Sequence, residues 1–203
     1  ALRSGLWPLL VVKVIGGVAA SMHSTALPLT LTQVWKFEPS QLGLSMSSAM
    51  FAVAAFGAFG MGPLTSWVGP RFMAKQGLVG RALLASVVAG ILTASSSTAT
   101  TTPSLVAQVV ALGILYALSN HVLATGLTTQ TTGAVAKEEQ GALLGLEHGL
   151  FSLARIVAPP MATSLLAAGG MWAVAGACGT IDLALVYLLV LKGPQKEKKK
   201  SPP

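Results

Sequence analysis

Eight ionisable side chains fall within or beside long apolar runs of this chain: Lys13, His23, Arg81, His121, Glu147, His148, Arg155 and Asp182. A lysine, arginine or aspartate at the centre of an apolar span costs roughly 2.5–3.5 kcal/mol on insertion scales, so each needs a partner, a wet cavity or an interface. The chemistry these residue types allow is proton exchange at glutamate, aspartate or histidine, and recognition of a polar solute by lysine, arginine and asparagine. Lys13 and Glu147 are expected about two turns in from the same end of their spans, where opposite charge offsets part of the desolvation of each. Arg155 follows Glu147 at a spacing that keeps both in one broad polar sector of a helix, with Ser152 between them and His148 farther round.

A second polar step is Ser119, Asn120 and His121, followed by Thr125, Thr128, Thr129 and Gln130. On one helix this series is expected to line a water-filled route. For His23, His121 and His148 the competing reading is a neutral, hydrogen-bonded histidine or one near an interface. Asp182 is expected to meet a structural partner, meet another subunit or be protonated, rather than bind solute directly. Arg81 is expected to snorkel toward the nearer membrane surface.

The elements that must carry these groups follow from composition. Of 203 residues, 53% are hydrophobic and only 9% charged, which is too apolar for a soluble domain of this length. Inside hydrocarbon no water satisfies the backbone, so a spanning helix needs about 20 mostly apolar residues. Six such runs are predicted, at about 6–34, 40–62, 72–96, 104–132, 139–167 and 170–192, followed by a basic tail at 193–203. The predicted fold is therefore all-α, a polytopic membrane protein with six transmembrane helices.

The net charge of +7 has its explanation in this topology. With a cytoplasmic N-terminus, Arg3, Arg71, Lys75, Lys137, Lys192, Lys196, Lys198, Lys199 and Lys200 lie inside and Lys36 lies outside, as the positive-inside rule requires. Both termini are thus expected in the cytoplasm, and the lysines give no reason to expect a nucleic-acid partner. Which cellular membrane holds the protein is not encoded.

Small residues are expected to bring helices together: Gly141, Gly145 and Gly149 at intervals of four, Gly57 and Gly60 on the second span, and Gly16, Gly17 and Ala20 on the first. Such faces serve general packing or let helices slide. Pro28, Pro159 and Pro160 are expected to bend their helices. Cys178, the single cysteine, is expected to pack rather than react. No metal-ligand spacing, phosphate loop or G-x-S-x-G element is present, so neither a cofactor nor an enzymatic activity is expected.

The stretch "MGPLTSWVGPRFMAKQG" at 61–77 is expected to be a tight inner-face turn between spans two and three. Gly62, Ser66, Gly69 and Arg71 hold a spacing that resembles the loop motif of the major facilitator family, G-x-x-x-D-[RK]-x-G-[RK]-[RK]. Both glycines and the last basic residue are kept, whereas Ser66 replaces the acid and Trp67 and Pro70 replace basic residues. "AVAKEEQGALLGLEHGLFSLARIVAPP" adds a further likeness. The chain thereby resembles the C-terminal six-helix half of such a transporter, with an N-terminal half expected upstream. "VVKVIGG" and "GALLGLEHGLFSLARIVAPP" are also similar to the organic-cation-transporter-like member 18 of solute carrier family 22 and its drug:proton antiporter relatives.

The resemblance implies secondary active transport of a small organic solute or drug by alternating access, with protons as a coupling ion and the lipid bilayer as surroundings. It implies that spans one, two, four and five face a central cavity and that spans three and six face outward. Lys13, Asn120, His121, Glu147 and Arg155 become the expected solute or proton pathway, and Gly62, Ser66, Gly69 and Arg71 a conformational latch. The alternative function is a non-transporting membrane scaffold made of a self-contained six-helix unit.

Overall fold

The computed structural model describes residues 6–94 and 102–192. Arg3, the end of the third predicted span at 95–96 and the basic tail at 193–203 lie outside the described residues. Helices α1 (Leu6–Gln33), α2 (Pro39–Phe59), α3 (Met61–Val68), α4 (Pro70–Ala94), α5 (Pro103–Gly133) and α6 (Gln140–Lys192) follow in order, with a 3-10 turn at Lys137–Glu139 before α6. No strand occurs among the described residues, so the fold is all-α, as expected.

Local sequence sets the boundaries. Pro39, Pro70 and Pro103 each open a helix at the position where a missing N–H is harmless. Before α2 the side-chain carbonyl of Gln41 accepts from the Glu38 N–H at 2.9 Å, and before α5 the Thr102 hydroxyl accepts from Leu105 N at 3.3 Å. Even the shortest long helix, α2, has 21 residues, about 31 Å at 1.5 Å per residue, which matches the hydrocarbon core.

α6 carries two crossings. Gly169 and Gly170 leave helical dihedrals, with Gly170 at φ 62°, ψ −156°, a conformation open to glycine and strained for other residues. The chain reverses there. Before it, Lys13 faces Glu147 and Gly17 faces Phe151, so that arm runs parallel to α1. After it, Gly16 faces Leu185, Ala19 faces Cys178 and Thr30 faces Met171, so the second arm runs antiparallel. Pro159 and Pro160 do not interrupt α6, and Pro28 does not interrupt α1; the break falls on the glycine pair instead.

The stretch at 61–77 is more helical than expected. Met61–Val68 form α3, Gly69 alone makes the turn at φ 81°, and α4 has begun by Pro70.

The two larger of three apolar clusters are stacked along the bundle. Trp35, Phe37, Leu92, Leu105 and Met171 belong to one, and Leu9, Val12, Leu78, Leu127 and Leu189 to the other. Lipid is as apolar as leucine, so helix association here rests on close contact and polar bonds rather than on escape from water. Glycine supplies the contact between α4 and α5. A Cβ on Gly77 would lie 2.7 Å from Leu123 Cβ, and one on Gly126 would lie 2.8 Å from the Pro70 carbonyl oxygen. The Gly141, Gly145 and Gly149 face expected to bury a neighbour does not: all three are exposed, with open space where a Cβ would stand.

Candidate functional site

The polar residues expected to need partners find them across the bundle. Lys13 on α1 forms a buried ion pair with Glu147 Oε2 on the first arm of α6, and its ammonium also donates to Thr128 Oγ1 on α5 at 2.9 Å. Lys13 is 7% exposed and Glu147 4%. Three crossings therefore meet at one ammonium. Glu147 Oε1 is buried without a hydrogen-bond partner, an unmet acceptor in a low-dielectric setting.

A second hub lies where the two apolar clusters abut. Arg81 on α4 is 1% exposed, so it does not snorkel to the surface. Its guanidinium donates through Nε to Asp182 Oδ2 at 3.1 Å and through Nη2 to Oδ1 at 2.5 Å. The same group donates to Asn120 Oδ1 at 2.9 Å and to the Gly16 carbonyl at 3.0 Å. The fork of the guanidinium explains why arginine holds this position: it reaches a carboxylate in bidentate fashion and still has donors for two other helices. Asp182 thus has a structural partner, one of the roles expected for it.

Between these hubs lies a cavity of about 410 Å³, lined by Lys13, Arg81, Tyr116, Asn120, Phe151 and Arg155 together with apolar and small residues of α1, α2 and α5. Its size suits a small organic ligand. Arg155 is exposed and makes no hydrogen bond or ion pair among the described residues. A larger cavity of about 520 Å³ lies toward the Trp35 end, between Thr30, Leu92, Leu166 and Met171. Among the described residues no ionisable side chain lines it, and the charged groups of the central cavity have no counterpart there.

Of the five expected pathway residues, Lys13, Asn120 and Arg155 line the central cavity and Glu147 lies behind Lys13. His121 does not join them. It turns toward α2, where a Cβ on Gly57 would lie 3.2 Å from its Nε2. His148 is exposed on α6. His23 is 2% exposed and stacks on Tyr116, ring centroids 4.0 Å apart, with Nδ1 buried and unpaired. Cys178 packs in the core, its thiol donating to the Ala19 carbonyl at 3.2 Å. Arg81 is a cavity residue on the third crossing, a span that the family resemblance directs outward. Its depth is the missed signal: Arg81 is 11 residues from Pro70 and Asp182 is 10 from Lys192, within one residue of the same depth from one end of the bundle.

At that end, the loop motif is held from α5. Gln130 Nε2 donates to the Pro70 carbonyl at 3.1 Å and to the Gly126 carbonyl at 3.0 Å. Ser66 does not reach across; its hydroxyl donates to the Pro63 carbonyl of its own helix at 2.8 Å. Gly62 has open space around it, and Gly69 supplies the turn. Arg71 lines a small cleft with Lys75, Gln130, Leu189 and Val190.

No curated protein and no solved structure matches the chain. A family model described as Major Facilitator Superfamily matches residues 9–203. That match spans both ion pairs, the central cavity and the loop at Gly69, and the long apolar helices agree with it. The chain belongs to the Major Facilitator Superfamily, whose members are multi-pass membrane transporters of small solutes.

Proposed function

We propose that this chain forms one six-helix half of a secondary active transporter for a small organic solute, that an N-terminal half completes it, and that both termini are cytoplasmic. The observation that carries the reading is the Lys13–Glu147 pair, a buried and breakable charge contact between two crossings beside a solute-sized cavity. Glu147 is the proton-exchanging group in this reading: protonation removes its charge, frees the Lys13 ammonium and removes the charge contact between α1 and the first arm of α6. Arg71, Lys75 and Lys137 at the inner face and Lys36 at the outer support the orientation. The family match supports a small solute as cargo, and the mostly apolar lining of the central cavity supports an organic one.

The test is flux into proteoliposomes holding the full-length protein under an imposed pH gradient. Solute uptake that follows the gradient, and uptake by Glu147→Gln that no longer does, is the expected result. Uptake by Glu147→Gln with unchanged gradient dependence sinks proton coupling at this residue. A membrane scaffold, the competing reading, gives no flux across a broad solute panel.

A further inference from the structure

We infer that the central cavity selects an amphipathic organic anion, an apolar and preferably aromatic body bearing one carboxylate or sulfonate. The inference rests on the cavity being the solute site of the transport reading. Charge bookkeeping across every element around the cavity leads to it. α1 contributes Lys13, matched by Glu147 of α6; α4 contributes Arg81, matched by Asp182 of α6. The lining residues of α2 and α5 bring no charge: Met50 from the first, and Tyr116, Ala117, Asn120, Leu123, Ala124 and Leu127 from the second. Arg155 is left as the one lining cation without a counter-ion among the described residues.

A guanidinium with free donors at the mouth of a mostly apolar cavity binds a carboxylate or sulfonate through two parallel N–H···O bonds. A cationic solute meets the opposite situation, since both acids near the cavity are already engaged by Lys13 and Arg81. Phe151 and Tyr116 give the walls an aromatic surface for the body of the ligand. The geometry therefore favours an anion over the organic cations suggested by the narrower sequence likeness.

Three probes of one shape and different charge decide it: benzoate, benzamide and benzamidine, tested on the full-length protein in lipid nanodiscs by displacement of radiolabelled benzoate. Benzoate is expected to bind about tenfold or more tightly than benzamide, and benzamidine more weakly still. Arg155→Gln should cost benzoate about tenfold while leaving benzamide within about threefold, and Arg155→Lys should restore part of the loss. An unchanged melting temperature of Arg155→Gln verifies that the replacement leaves the fold intact. Benzamidine binding as tightly as benzoate, benzoate affinity indifferent to Arg155→Gln, or no benzoate binding at about 10 mM overturns the inference. Benzoate binding with no flux of any solute removes the transport reading and keeps the anion site. Flux of a cationic solute without benzoate binding does the reverse.

Discussion

Arg81 on α4 and Asp182 on the last arm of α6 join two crossings by a bidentate contact, Nε to Oδ2 at 3.1 Å and Nη2 to Oδ1 at 2.5 Å, at the level where the two apolar clusters meet. Either partner alone would be a naked charge in a dry interior. Removing one is therefore far more damaging than removing both.

Asp182→Asn is expected to destabilise the protein by about 3–5 kcal/mol, because the Arg81 guanidinium keeps its charge and loses its counter-ion. Paired replacement by Arg81→Met and Asp182→Leu should recover most of that loss. Equilibrium unfolding in mixed detergent micelles measures both. A single replacement costing under about 1 kcal/mol contradicts the burial of the pair.

Lys13→Met is expected to cost a similar amount, since it strands the Glu147 carboxylate, whose Oε1 already lacks a partner. Exchanging the charges by Lys13→Glu with Glu147→Lys should restore stability toward the native level. A double-mutant cycle that gives no coupling between the two positions rules out the contact as a tether.

Gly126→Ala and Gly77→Ala drive a methyl into backbone atoms of the facing helix, since Pro70 O and Ala74 N lie 2.8 and 3.0 Å from one and Leu123 N and Cα 2.9 Å from the other. Each should lower stability by about 1–3 kcal/mol. Gly145→Ala, with open space around it, should be neutral or stabilising by up to about 1 kcal/mol. Melting temperatures of the three variants, ranked together, give the answer.

At the loop, Gln130→Leu takes the donor away from the Pro70 carbonyl and should cost about 1 kcal/mol. Ser66→Ala should change stability by less than about 0.5 kcal/mol, because its hydroxyl serves only its own helix. Proteolysis at the Gly69 turn reads the difference: cleavage should quicken in the first variant and not in the second. Equal cleavage in both would show that α5 does not restrain the turn.

The all-α fold is legible in the sequence because apolar runs of spanning length leave the backbone no other way to satisfy itself. The Lys13–Glu147 pair is legible too, through equal depth on two spans. Arg81 and Asp182 obey the same arithmetic, yet treating each as an isolated cost hides their meeting. His121 shows a different limit. Its depth fits the cavity, but the face it presents depends on how α5 is rotated, and a single polar residue does not fix that rotation. The glycines show a third: regular spacing at Gly141, Gly145 and Gly149 marks a smooth surface, while what lies against it is decided elsewhere. Gly77 and Gly126 belong to no such run at intervals of four, and only the facing backbone reveals why no side chain fits there.

Together the two ion pairs clasp α1, α4, α5 and both arms of α6, while α2 takes part in neither. α2 buries just Ser45 and Ala49 and leans on α5 through contacts such as Gly57 against His121. Among the described residues, polar side-chain bonds thus tie all the other long helices into one cross-linked block, to which α2 is joined by close packing.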